Sequence, residues 1–511
     1  MVFTTLMSPA ASPRASESVV AHPLSLATVR SAFLASLGCV VPTAAYAHSF
    51  ATPYVLPVPF WMYVYGCVAT LVVSFAVFTY FLSAPILAPT VHTLELGATS
   101  VTRTATRWAL RLLRAGAVGS LVLVIVAGLV GTRNPGRNIN MILFWIVFLL
   151  GFTYVTLIVG DLYALINPWK VIIQWLERLG ANLSTPRLTY PQRIGYWPAL
   201  WFYMILIWIE LFALPSPFVL SLVLITYGLI TIAGVVLLGK DVWFERCDFL
   251  SVFFRLVATL APVEYPHSSN DDTPRIRIRP PCAGVMNERP EHISLVLFVL
   301  FMLSSTTYDA IYRTMLWVGL YWRPLLALLQ PLWGTDLAKA QSMLADGYIV
   351  YQRGGLLLSP ALYFALYLLA LWFARMASTL RVKLRTLAMD FAYSLIPIAF
   401  AYNFTHYYPM LVAECRDVVR IVNDPLGLGW TVLNRVSLDV ETPPLEMAVV
   451  WHIQVAVILI GHVVSVYVAH RIAMRTFPTR RQVTISQLPL LLLMVAYTAT
   501  GLWILSLPLV Q

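Results

Sequence analysis

Ten apolar runs, most of them about as long as the ~20 residues that carry a helix across a bilayer, dominate this chain. They lie near 58–82, 108–131, 140–166, 196–214, 217–239, 291–310, 354–375, 387–412, 449–471 and 486–509. A chain of 511 residues that is 59% apolar and 11% charged has too little polar side-chain surface to cover a water-soluble domain of its size. The sequence therefore predicts an all-α polytopic membrane protein with about ten transmembrane helices. Its formal net charge of +11 bears on topology and does not point to nucleic acid, because Lys and Arg gather in cytoplasmic loops.

Charge orders the loops. Arg103 and Arg107, Lys170 to Arg193, Arg275 to Arg289, Arg381 to Arg385, and Arg471 to Arg481 all fall between spans on one side. The opposite side holds the acidic segment 413–448, with Glu414, Asp417, Asp424, Asp439, Glu441 and Glu446. The positive-inside rule then puts the mature amino terminus and the carboxyl terminus on the outer face. In a bacterium that face would be the periplasmic side of the inner membrane. Residues 48–511 read as a single transmembrane domain, with a cytoplasmic loop at 240–290 and outer segments at 311–353 and 413–448. Within these, Cys247 to Val263 and Thr314 to Trp333 are apolar but interrupted, and read as interfacial or re-entrant helices. Residues 264–290 read as a mobile loop.

At the amino terminus, Ser31 to Val41 is apolar but too short to span, and Ala45-Tyr46-Ala47 has the small-x-small pattern of a signal-peptidase site. Residues 1–47 are expected to be a signal peptide, and His48 the first residue of the mature chain. The five cysteines form no C-x-x-C pair, and no phosphate-binding loop, H-E-x-x-H or G-x-S-x-G is present. ATP-driven transport, zinc proteolysis and serine hydrolysis thus lose sequence support.

Ionisable residues inside spans are costly and point to function. Asp309, His406 and His452 fall toward the outer ends of their spans, with Tyr402 and Tyr407 flanking His406. His462 lies ten residues deeper than His452, about 15 Å along a helix. Imidazoles with a carboxylate suit a divalent transition metal. His48, His406, His452 and His462 are the candidate ligands, and an amino-terminal His could chelate through its amine as well. Such a metal would activate water for hydrolysis without a protein nucleophile. The plainer reading of each is structural: a lone span histidine bonding between helices, Asp309 pairing with Arg313 one turn on, Asp161 and Asn167 capping helix ends, and His470 joining the basic edge beside Arg471.

Several stretches resemble bacterial integral-membrane organophosphorus hydrolases of the fenitrothion hydrolase family. They are H-S-F-A-T-P-Y-V-L-P-V-P-F-W (48–61), G-D-L-Y-A-L-I-N-P-W (160–169), S-T-T-Y-D (305–309), A-Y-N-F-T-H-Y (401–407), D-P-L-G-L-G-W (424–430), Q-V-A-V-I-L-I-G-H (454–462) with V-A-H (468–470), and the last span from Ser486 to Trp503. The resemblance covers most of the chain from His48 onward. It departs at V-A-H-R, where an acidic residue is expected after the histidine. It implies hydrolysis of aryl dialkyl phosphorothioate triesters, small hydrophobic molecules that partition into the bilayer, and a homologous second subunit as partner. Asp309, Tyr402 and Tyr407 become the candidate catalytic side chains beside the metal. The rival readings are a transporter or metal-handling permease, and a scaffold subunit of a two-chain hydrolase.

Overall fold

The computed structural model describes residues 58–82, 92–95, 100–183, 185–213, 216–266, 275–333, 336–378, 382–430 and 446–507. The expected signal peptide and His48 lie outside them.

Among the described residues ten helices are long and apolar enough to cross a membrane. The chain runs through α1 (Phe60–Phe81), α2 (Ser100–Val130), α3 (Ile139–Val159), α4 (Pro168–Arg178), α5 (Trp197–Phe212), α6 (Pro217–Leu238), α7 (Phe249–Ala258) and α8 (Ile293–Ile311). It continues with α9 (Met315–Trp333), α10 (Leu337–Ser378), α11 (Ile396–Asn423), α12 (Met447–Thr476) and α13 (Arg480–Ser506). A short helix, Leu384–Phe391, leads into α11. Local chemistry sets the starts. Ser216 accepts from the Val219 N–H ahead of Pro217 at the first turn of α6, and Thr479 accepts from the Gln482 N–H at the start of α13.

Two spans form the centre. In α8, 83% of the residues in the apolar window are buried, and 72% in Leu384–Glu414, against 17% in α1. The central pair therefore faces protein, and the peripheral helices face what would be lipid. The central pair also carries Asp309 and His406.

The structure departs from the sequence reading in four places. The third span stops at Val159, because Gly160 turns the chain at φ +81° and a Cβ there would lie 2.2 Å from the Val263 carbonyl oxygen. Over Ile142–Gly151 this span winds with the wider turn of a π-helix. Helix α7 is interior, with the Phe254 ring packed edge-on or tilted among Phe148, Phe152 and Tyr163.

Part of the expected mobile loop is instead a strand. Arg275–Ile278, whose Arg-Ile-Arg-Ile alternation suits a strand, pairs antiparallel with His92–Glu95 on one side and Val263–Glu264 on the other. Arg279 closes this unit by donating to the Ala258 and Ala261 carbonyls at the end of α7.

Helix α10 begins well before the apolar run at 354 and has 42 residues, about 63 Å at 1.5 Å each. That is about twice a ~30 Å hydrocarbon core, so much of its first half stands clear of the apolar belt. Helix α9 packs against that half through Trp317 on Tyr351 (4.7 Å between centroids) and Tyr321 on Tyr348 (5.3 Å).

Candidate functional site

Asp309 sits near the end of α8, after a polar run that would be costly in an apolar helix. Its hydroxyls turn back on their own helix: Ser305 and Thr306 donate to the Met302 carbonyl and Thr307 to Leu303. Ser304 and Tyr308 bond to α10, and the Asp309 carboxyl, 2% exposed, reaches α11.

The other side comes from α11, which contains Pro409. A proline inside a helix frees the carbonyl four residues earlier, here Thr405. Gln454 of α12 donates its Nε2 to that oxygen at 2.9 Å, and the Tyr408 hydroxyl donates to the Val450 carbonyl at 3.2 Å. Closer in, Gly461 lets α12 approach α11, since a Cβ there would come within 2.4 Å of the Ala401 methyl. Helix α12 thus clamps α11 on both sides of His406.

His406 Nε2 lies 3.0 Å from Asp309 Oδ2, and the Tyr407 hydroxyl donates to the same oxygen at 2.8 Å. The imidazole and phenol rings meet edge to face, 4.6 Å between centroids. A carboxylate oxygen accepts, so Nε2 carries the proton and the neutral ring has its lone pair on Nδ1. This is the carboxylate–imidazole arrangement that fixes a tautomer, and it suits a general base or an oriented metal ligand.

Beside it lies a cavity of about 60 Å³, lined by Glu210, Tyr407, Asn403, Ser305 and Thr306 among aromatic walls, with room for a few waters. Glu210, on α5, was not among the residues singled out from sequence. Its signal was present, since a carboxylate within the apolar run W-I-E-L-F is the costly placement that marks function. Among the described residues no hydrogen bond or ion pair engages its carboxyl.

The remaining candidates stand apart. Tyr402 is buried one turn before His406, its ring against Gly501 and its hydroxyl without a hydrogen-bond partner among the described residues. His452 is exposed; its Nδ1 donates to the Ala448 carbonyl at 2.6 Å, and the Tyr63 hydroxyl lies 3.4 Å from Nε2. His462 is buried, its Nδ1 donating to Ile458 at 2.8 Å and its Nε2 unpartnered among the described residues. His470 and Arg471 are both buried, with His470 Nδ1 against Gln487 of α13.

Two family-like motifs have structural roles. In 160–169, Asp161 caps at Ala164, and Asn167 caps at Trp169 and Lys170 while donating to Asp248 at 3.1 Å. In 424–430, the Asp424 carboxylate accepts from Leu428 and Gly429, while the Pro425 carbonyl accepts from Ile139 at the head of α3 and the Leu426 carbonyl from Thr132, just past the end of α2.

A metal fits the described residues poorly. No group of three or more His, Cys, Asp or Glu among them converges as a metal site. A metal held by His406 and Asp309 would need further ligands from outside them, with His48 the sequence candidate. Compared with known protein families, curated proteins and solved structures, the chain matches none.

Proposed function

We propose that this multi-pass membrane protein is a hydrolase of neutral organophosphorus triesters, acting through the Asp309–His406 pair. The observation that carries the reading is the 3.0 Å contact between His406 and a buried carboxylate, next to a small cavity that Glu210 and Tyr407 line. The sequence resemblance supplies the substrate class. His406 Nδ1 would take a proton from water as the water oxygen bonds to phosphorus. The phosphorus–aryloxy bond breaks and the nitrophenolate leaves with the electron pair. Asp309, held by Tyr407, stabilises the imidazolium that forms, and Glu210 accepts a hydrogen bond from the same water. No step is routed through a metal. On the topology read from charge, the site faces the periplasm of a bacterial inner membrane, where a lipid-soluble triester would be concentrated.

The test is nitrophenol release from a nitrophenyl thiophosphate triester by membranes holding equal amounts of the native chain or His406→Ala. Native release with loss in the variant supports the reading. Equal rates sink it.

A second reading, a permease, draws on α12. His462 buries an Nε2 that has no hydrogen-bond partner among the described residues, and His470, also buried, lies eight residues further on, about 12 Å along the helix. Metal uptake by intact cells that falls with His462→Ala, without any nitrophenol release, would favour it.

A further inference from the structure

The Asp309 site leaves a much larger cavity unexplained. It is a chamber of about 500 Å³ between α2, α3, α5, α6 and α7, within the range of small-molecule sites. Phe144, Phe148, Phe202 and Trp169 give it aromatic walls. Its rim includes Val147, Ile205, Leu222 and Ile230, all of them exposed. Leu222 and Ile230 belong to the interior of the 22-residue span α6, so the mouth opens on the apolar belt, where lipid would lie.

Two observations say what would fill it. Tyr163 lines the chamber and is 1% exposed, yet its hydroxyl has no hydrogen-bond partner among the described residues. A buried phenol left unpaired is costly unless an occupant accepts its proton. Next, Leu206, Phe249 and Leu250 are walls shared by this chamber and the Glu210 cavity. The π-wound stretch of α3 forms another partition: Phe144, Val147 and Phe148 face the chamber, while Trp145, Leu149 and Leu150 face the cavity.

We propose that the chamber is a binding site for a neutral aromatic molecule bearing one hydrogen-bond acceptor, taken sideways from the bilayer and held by the Tyr163 hydroxyl one wall away from Glu210. A saturated acyl chain would leave Tyr163 unpaired, and a charged molecule would have to cross the apolar rim. The chamber as a binding site stands independently of the hydrolase reading; its role as the way in to Asp309 rests on that reading.

Benzophenone is a suitable probe, being neutral, aromatic, equipped with one carbonyl and photoreactive. The full chain in lipid nanodiscs is irradiated with increasing benzophenone, and adducts are mapped by mass spectrometry. Saturable labelling of peptides covering 144–148 and 202–230 is expected. Tyr163→Phe should raise the half-saturating concentration about five- to tenfold, the worth of one hydrogen bond. Val223→Trp should abolish chamber labelling. Leu222→Trp, at the exposed rim where folding is less at risk, should reduce it at least threefold. Non-saturable labelling spread over all lipid-facing helices would overturn the proposal, as would a co-purified phospholipid that benzophenone does not displace. Saturable chamber labelling without nitrophenol release would leave the chamber standing and remove the hydrolase; release with no chamber labelling would do the reverse.

Discussion

Glu210 and Asp309 each occupy the third position from the end of their helices, α5 and α8, which pack side by side in the same direction. The parallel run is fixed two turns earlier, where Tyr203 of α5 meets Phe298 and Phe301 of α8 at 5.1 and 5.0 Å between ring centroids. Two carboxyls are thus held at one level, where they repel when both are ionised.

Glu210→Gln should relieve that repulsion. The variant is expected to accumulate at or above the native level with an unchanged or higher melting temperature, while nitrophenol release falls at least tenfold. A variant that melts lower and hydrolyses normally would make Glu210 a structural residue.

His406→Ala should lower the hydrolytic rate by about 10²–10⁴, the usual contribution of a general base. Asp309→Asn keeps the shape but loses the charge that stabilises the imidazolium, so a substantial fall is expected there too. Rates measured against protein quantified in the same membranes decide this.

Gln454→Leu should destabilise the fold by about 1–3 kcal/mol, the cost of a buried carbonyl left without a partner. The carbonyl is that of Thr405, freed by Pro409. Melting in detergent measures the loss. Pro409→Ala in the same background should recover part of it, because the helix can then satisfy Thr405 itself.

Asp424 gives a pH signature. Burial works to raise its pKa, but the N–H groups of Gly429, Trp430 and Leu428, with Arg137 nearby, hold it below the ordinary aspartate value. A lowered folded-state pKa gives stability that is present above the unfolded value of about 3.9 and lost as pH falls through the folded value. Between pH 5 and pH 3 the native chain should therefore lose melting temperature more steeply than Asp424→Asn. Parallel slopes would show that the carboxylate contributes nothing.

The spans were legible because a bilayer demands long apolar runs and basic loops, and both are written in composition. Asp309, His406 and Tyr407 were legible for the same reason, as polar groups in costly places. Depth alone suggested one shared site for them, but not the direct contact: ninety-seven residues separate Asp309 from His406, and neither length nor charge reports which helices touch. Glu210 satisfied the same criterion of cost but stood alone in its span, without neighbouring histidines to draw notice. Helix α7 was ambiguous because Arg255 interrupts its apolar run; in the fold that guanidinium lies over the Tyr196 ring, 5.7 Å from its centroid, and donates to the Glu245 carbonyl. The strand at 275–278 had the right alternation, but its partners lie at 92–95 and 263–264, and only tertiary structure brings them together.

The length of α10 has a mechanical consequence. Near its middle it is bolted to α8: Ser359 donates to Ser304 at 3.0 Å, Tyr308 donates to the Gln352 carbonyl, and Gly355 lies against Tyr308. The upper half, splinted by α9, is the long arm of a lever whose fulcrum is the Tyr308–Gln352 contact, next in sequence to Asp309. A torque applied to that arm, by a neighbouring chain or a bound antibody fragment, would be delivered as a tilt of the helix carrying the carboxylate, and so as a change in its reach to His406.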